Sequence, residues 1–96
     1  MLVYKAMYKF VDDEHQVHGE VLDFPGAITC GPDLKTTRSL LASALTDMAE
    51  AHLLDGEPFP LPDPGKTDLE SDIEEPIYLL LTGANRIRIV PLPATD

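Results

Sequence analysis

The stretch Asp23-Phe24-Pro25-Gly26-Ala27-Ile28-Thr29-Cys30-Gly31-Pro32-Asp33-Leu34 is where the chain changes period. Pro25-Gly26 ends one strand, because Pro lacks a backbone donor and Gly admits φ > 0. Residues 27–30 form a short third strand, which Gly31-Pro32 closes. Asp33 is then the N-cap of a helix: its carboxylate accepts a backbone N–H and its charge suits the positive end of the helix. On the N-terminal side of this stretch the pattern has period two. Leu2, Tyr4, Ala6, Tyr8 and Phe10 alternate with Val3, Lys5, Met7 and Lys9, the signature of a half-buried strand. The polar run Asp12-Asp13-Glu14-His15-Gln16 reads as a hairpin loop, and residues 17–24 as the second strand. On the C-terminal side Leu34, Leu41, Ala44, Leu45, Met48 and Ala51 recur at helical spacing on one face, with Lys35, Thr36, Ser39, Thr46, Asp47 and Glu50 mainly off it. Gly56 is the C′ residue of this helix. About 20 residues at ~1.5 Å each span roughly 30 Å, enough to cross a small sheet.

Beyond the helix Pro58, Pro60, Pro62 and Pro64 alternate with Phe59, Leu61 and Asp63, a spacing that forbids helix and favours extended polyproline geometry. Residues 65–75 are polar and acidic and are expected to be mobile. Residues 77–81 read as a buried strand, Gly83-Ala84-Asn85 as a turn, and residues 86–90 as an edge strand ended by Pro91 and Pro93. The predicted order is β-β-β-α-β(β). This is an α+β fold, an antiparallel sheet with one long helix packed on one face. Its 96 residues make a single domain over 1–96, in which 57–75 is a Pro-rich acidic crossover.

Composition narrows the function. The chain carries 7 basic and 17 acidic side chains, a formal charge of −10, and is 44% hydrophobic. That is too apolar for wholesale disorder. The charge repels phosphate backbones, so no direct contact with nucleic acid is expected. No apolar run reaches the ~18–20 residues of a membrane span, and the N-terminus does not read as a secretory signal. A single Cys forms no internal disulfide, so a reducing, cytoplasmic location is expected.

The residue types of catalysis do not converge. Asp12, Asp13 and Glu14 sit in what is ordinarily a solvated turn. The first strand has no carboxylate. A two-metal nuclease would have only Glu20 and Asp23 on the second strand, three residues apart and on opposite faces. His15, His18 and His52 lack metal-ligand spacing, and His52 suits a helix C-terminus. Cys30 is expected as a small buried hydrophobe. Ser39 and Ser43 have no nucleophile-elbow context. No catalytic residue, metal site or cofactor is therefore expected, and the chain is read as a non-enzyme.

The charge, by contrast, is localised. From Asp47 to Glu75 there are ten acids (Asp47, Glu50, Asp55, Glu57, Asp63, Asp68, Glu70, Asp72, Glu74, Glu75) against Lys66 alone, a net −9. A solvated flank is one reading and a docking surface for a basic protein is the other. In the second, the residues that meet the partner are Asp47, Glu50, Asp55 and Glu57.

The aromatic first strand, Asp23-Phe24-Pro25-Gly26-Ala27-Ile28-Thr29-Cys30-Gly31, the helix with Arg38-Ser39-Leu40-Leu41-Ala42-Ser43-Ala44-Leu45, and Asp55-Gly56-Glu57-Pro58-Phe59-Pro60 together resemble the HicB antitoxin family over residues 2–82. The resemblance implies a β-β-β-α-β unit, a partial ribonuclease-H-like fold without its catalytic residues. It implies binding and neutralisation of a small basic HicA-like toxin that cleaves mRNA with a His, and assembly as homo-dimers or tetramers. This sequence departs from the family pattern where Gly31 is followed by Pro32-Asp33. Only six residues follow the last strand, so a chain without the family's C-terminal DNA-binding module is expected. The alternative is an orphan homo-oligomeric structural or small-ligand-binding domain with no toxin partner, in which the edge strand Ile87-Arg88-Ile89 pairs with another chain.

Overall fold

The computed structural model describes residues 2–11, 15–81 and 87–90. Its elements are β1 (Leu2–Val11), β2 (Gln16–Val21), β3 (Ile28–Gly31), α1 (Leu34–Asp55), β4 (Ile73–Leu81) and β5 (Ile87–Val90). The strands form one sheet in the order β3-β2-β1-β4-β5, and each neighbouring pair is antiparallel. This is the predicted α+β architecture. The loop residues Asp12, Asp13 and Glu14, the turn Gly83-Ala84-Asn85, Arg86, Pro91 and Pro93 lie outside the described residues.

The longest strand, β1, sits at the centre of the sheet, and its alternation sets the core. Tyr4, Ala6 and Tyr8 are buried on one face, with Leu2 and Phe10 packed at the margins. Val17 and Val21 of β2, Ile77 and Leu79 of β4, and Leu41, Leu45 and Ala49 of α1 close over them. The cap residues behave as their chemistry dictates. Asp33 Oδ1 accepts the Thr36 N–H at 2.7 Å, and this bond holds the carboxyl below its ordinary pKa. Gly56 adopts φ +69° and its N–H reaches the carbonyls of His52 and Leu53.

Several boundaries differ from the sequence reading, each for a physical reason. The second strand ends at Val21, not at Phe24. Phe24 N–H donates to Val21 O at 3.1 Å, and Val21 N–H donates to Ala27 O at 2.9 Å. The chain therefore leaves the ladder in a compact turn that drops the Phe24 ring into the core. Asp23 thus lies in this turn and not on a strand. Gly26 holds φ +94° there, a conformation that favours glycine; a Cβ on it would also come within 2.7 Å of Met48 Cε, the flexible end of that side chain, which would have to shift. The fourth strand begins at Ile73, four residues before the apolar run that marks it in the sequence. Among the described residues Pro76 pairs with β1 alone, while β5 pairs from Tyr78 onwards, so its missing N–H is tolerated there.

On the helix, Thr37, Leu41, Leu45 and Ala49 form the buried row, a strict four-residue step, while Ala51 is exposed. Thr37 stands in the core because its hydroxyl donates to Asp33 O at 2.7 Å. Cys30 is exposed, not buried. The alternation of β3 puts Thr29 and Gly31 toward the helix and Ile28 and Cys30 on the other face, where Cys30 is in register with His18. Among the described residues no helix is long and apolar enough to cross a membrane.

Leu45 is fully buried and Leu54 is 77% exposed on the same helix. We expect Leu45→Ala to cost about 2–5 kcal/mol in denaturant unfolding, and Leu54→Ala to stay within about 0.5 kcal/mol of the parent. Equal effects would show that the burial pattern is wrong.

Candidate functional site

The acidic region from the end of α1 to β4 is built on an arm, residues 57–72, that is tied down along its length. The tie begins at the cap, where Glu57 N–H donates to His52 O at 2.9 Å. His52 Nδ1 lies 3.0 Å from Pro58 O, so this histidine serves the arm as well as the helix end. Phe59 then folds back onto the core. Its ring centroid is 6.2 Å from that of Phe24 and 6.0 Å from His52, while Phe24 and His52 are 5.1 Å apart. Tyr4 packs edge-on against Phe24 at 5.4 Å, and its hydroxyl donates to Pro60 O at 2.7 Å. Burial, aided by the Asp23 charge, pushes this phenol up to about 12.

The arm then crosses to the opposite face of the sheet. Asp63 N–H donates to Asp23 Oδ2 at 2.8 Å, and Lys66 Nζ lies 3.5 Å from Asp23 Oδ1. Lys5 Nζ donates to the carbonyls of Pro64 at 3.3 Å and Lys66 at 2.7 Å. Asp72 N–H donates to Tyr8 O at 2.8 Å and Asp72 Oδ2 accepts Phe10 N–H at 2.7 Å, which continues the β1 ladder before β4 starts. Of the segment 65–75 expected to be mobile, residues 73–75 belong to β4 and the bonds above tie the rest to the sheet. Short polar side chains bond the local backbone and anchor a segment that has little apolar surface to bury.

These bonds divide the ten acids into two groups. Asp63 and Asp68 accept the N–H groups of Gly65 and Glu70. Glu70 pairs with Lys9 at 2.7 Å. Glu75, its side chain only 10% exposed, takes two hydrogen bonds from the Arg38 guanidinium, at 2.9 and 2.7 Å, beside the Tyr8 ring. Glu74 Oε2 accepts from Thr67 Oγ1 (2.5 Å), Ser71 Oγ (2.8 Å) and Asp68 N–H (3.0 Å). The Thr67 hydroxyl first, then the Asp68 amide and the Ser71 hydroxyl, hold the Glu74 carboxyl down at about 2.

The other group is the four residues singled out from the sequence. Asp47, Asp55 and Glu57 are exposed and Glu50 is half-buried. None of their carboxylates bonds to another described residue. Asp47 and Glu50, three apart, share the outer side of α1. Asp55 is the last helical residue and Glu57 follows the Gly56 cap. The residues that position the arm, Tyr4, Lys5 and Asp23, carry no signal of that role in the sequence, because their bonds to the arm join positions 40 to 59 residues apart.

A cleft of about 360 Å³ lies between arm and sheet, lined by Val3, Lys5, Asp23, Asp63, Glu74 and Pro76. Lys5, Asp23, Asp63 and Glu74 already bond to protein partners, so the cleft is the seam of the arm. Glu20 and Asp23 are held to different partners: Glu20 lies 3.7 Å from His18, and Asp23 takes Asp63 and Lys66. Among the described residues no three His, Cys, Asp or Glu side chains are grouped to hold a metal ion. What the region offers is a set of carboxylates on α1 and its cap that bond to no other described residue.

A family model described as UPF0150-like matches residues 3–60, which span β1 to α1, the Phe24 turn and all four of these carboxylates. No curated protein matches the chain.

The Glu74 cluster sets a pH dependence. Its folded pKa of about 2 lies below the ordinary 4.5, so its contribution is present above pH 4.5 and is lost as pH falls through about 2. We expect Glu74→Gln to be less stable than the parent at neutral pH. Its urea midpoint should also fall less steeply between about pH 5 and pH 2. Parallel curves for parent and variant would remove Glu74 from this role.

Proposed function

The chain belongs to the UPF0150-like family, and we propose that it is a HicB-like antitoxin-type protein that binds and neutralises a small basic HicA-like toxin cleaving mRNA. Membership supports this reading because the family is HicB-related. The observation that carries it is the division of the acids. Asp63, Asp68, Glu70, Asp72, Glu74 and Glu75 are spent on the protein's own arm, whereas Asp47, Glu50, Asp55 and Glu57 are not. Asp47 and Glu50 lie along the second half of α1, and Asp55 and Glu57 at its end add to the negative end of the helix dipole, with only His52 as a basic residue in the last turn. Such a field steers a basic partner and raises its on-rate.

The protein acts by occupation and performs no chemistry of its own. A ribonuclease must receive RNA phosphates on a cationic surface, and carboxylates held at a helix end compete for that surface. The chain works in the cytoplasm, where its mRNA-cleaving partner acts, without metal or cofactor and without touching nucleic acid itself. A second reading has its own observation. Among the described residues the sheet ends in the outer strands β3 and β5, each paired on one side. Strand addition at either edge would give a homo-dimer or tetramer, which serves an orphan structural or small-ligand-binding domain as well as an antitoxin.

Co-expression with a small basic ribonuclease encoded beside this gene tests the first reading. The two proteins are expected to co-purify, growth arrest to be relieved, and the affinity to fall as salt rises. Changing Asp47, Glu50, Asp55 and Glu57 together to Lys is expected to weaken binding by about a hundredfold or more with the thermal midpoint kept. A ribonuclease that is neither bound nor silenced overturns the reading. A strict monomer by analytical ultracentrifugation at high micromolar concentration overturns the oligomer.

A further inference from the structure

The outward side of α1 carries a pattern that the core does not use. Leu40 is 41% and Leu54 77% exposed, although both are leucines on a helix whose buried row is Thr37, Leu41, Leu45 and Ala49. Between them, Leu40, Ser43, Asp47, Glu50 and Leu54 follow one another at steps of three and four residues. That is a repeat of 3.5, the spacing of a helix–helix seam, sustained over two heptads or about 21 Å of helix. The seam is apolar at both ends and doubly acidic at its middle. Ser43 and Ala51 are small, which leaves room for a second backbone to approach.

A second copy of this chain does not fit. A parallel pair would set Asp47 against Asp47 and Glu50 against Glu50, and an antiparallel pair centred on Asp47 would still oppose like charges in a desolvated seam. The complementary surface has the opposite centre: Lys or Arg facing Asp47 and Glu50, with aliphatic side chains two heptads apart against Leu40 and Leu54. We propose that the outward face of α1 is a docking seam for a cationic amphipathic helix of a partner protein. It deepens the functional reading above and rests on it in taking that partner to be the basic toxin. Asp47 and Glu50 give the pairing its sign and register, and the leucines give it apolar anchors. Asp55 and Glu57 lie off the seam and act through their field.

The test uses the full chain and, as probe, a synthetic Leu/Lys amphipathic helical peptide with Lys at the two central seam positions. Amide shifts in an NMR titration are expected to centre on residues 40–54. Leu40→Ser with Leu54→Ser, and separately Asp47→Lys with Glu50→Lys, should each weaken the peptide by about tenfold or more, and Asp55→Lys with Glu57→Lys by about threefold or less. Unchanged circular dichroism melts confirm that these exposed variants fold. Shifts centred on the arm or a sheet edge overturn the proposal. So does a charge reversal that matters while the leucine changes do not, which is bulk attraction only, and so does concentration-dependent self-association through the same residues. The variants are then carried to the co-expressed ribonuclease. Toxin binding that ignores both seam pairs overturns the seam and leaves the antitoxin reading standing. Peptide docking on the seam with no toxin bound does the reverse.

Discussion

The Phe24 ring is the contact on which the other elements depend. It sits at the turn that takes the chain out of β2, fully buried, with Tyr4 of β1 edge-on at 5.4 Å, His52 of the helix end at 5.1 Å and Phe59 of the arm at 6.2 Å. Four parts of the chain, β1, the turn, the helix end and the arm, thus share one aromatic cluster, in which each favourable ring pair adds about 0.5–1.5 kcal/mol beyond simple burial. Without that ring the arm would lose the anchor that turns Phe59 inward. Tyr4 would lose the enclosure that keeps its hydroxyl on Pro60 O, and the C-terminal turn of α1 would lose the support that keeps its carboxylates in place.

The cluster also explains how a chain of this charge stays folded. Acidic side chains at close range destabilise one another unless each finds donors. Those donors come from the arm's own backbone, from Thr67 and Ser71, from Phe10 N–H and Lys9 of β1, and from Arg38 of α1. Six carboxylates are absorbed in this way. The four on the second half of α1 and its cap have no such bonds among the described residues, and they project the charge that a basic partner would meet. Structural and interaction acids therefore coexist in one run of sequence and are separated only by what each can reach.

Much of the architecture was legible locally. Alternation over Leu2–Val11 marks a strand whatever lies beside it, Asp33 and Gly56 mark both helix ends by cap chemistry, and the period change across 23–34 places the helix after three strands. The errors fall where a neighbour decides. The second strand stops short because Phe24 is pulled into a core that the sequence does not display. The fourth begins early because β1 offers a partner to Ile73, Glu74, Glu75 and Pro76, residues with weak strand character of their own. Cys30 faces outward because of strand parity, which outweighs its usual preference for burial.

The candidate site divides in the same way. The sequence by itself determined the α+β class, the concentration of negative charge between Asp47 and Glu75, and the presence of acids at the helix end, because composition, periodicity and capping act within a few residues. Only the tertiary structure decided which of those acids are spent and which remain. That depends on Lys5, Tyr4, Asp23 and Arg38, which reach the acidic region only once β1 pairs with β4 and the arm closes over the sheet. Hydrogen bonds between residues 37 to 61 positions apart leave no local trace in a sequence.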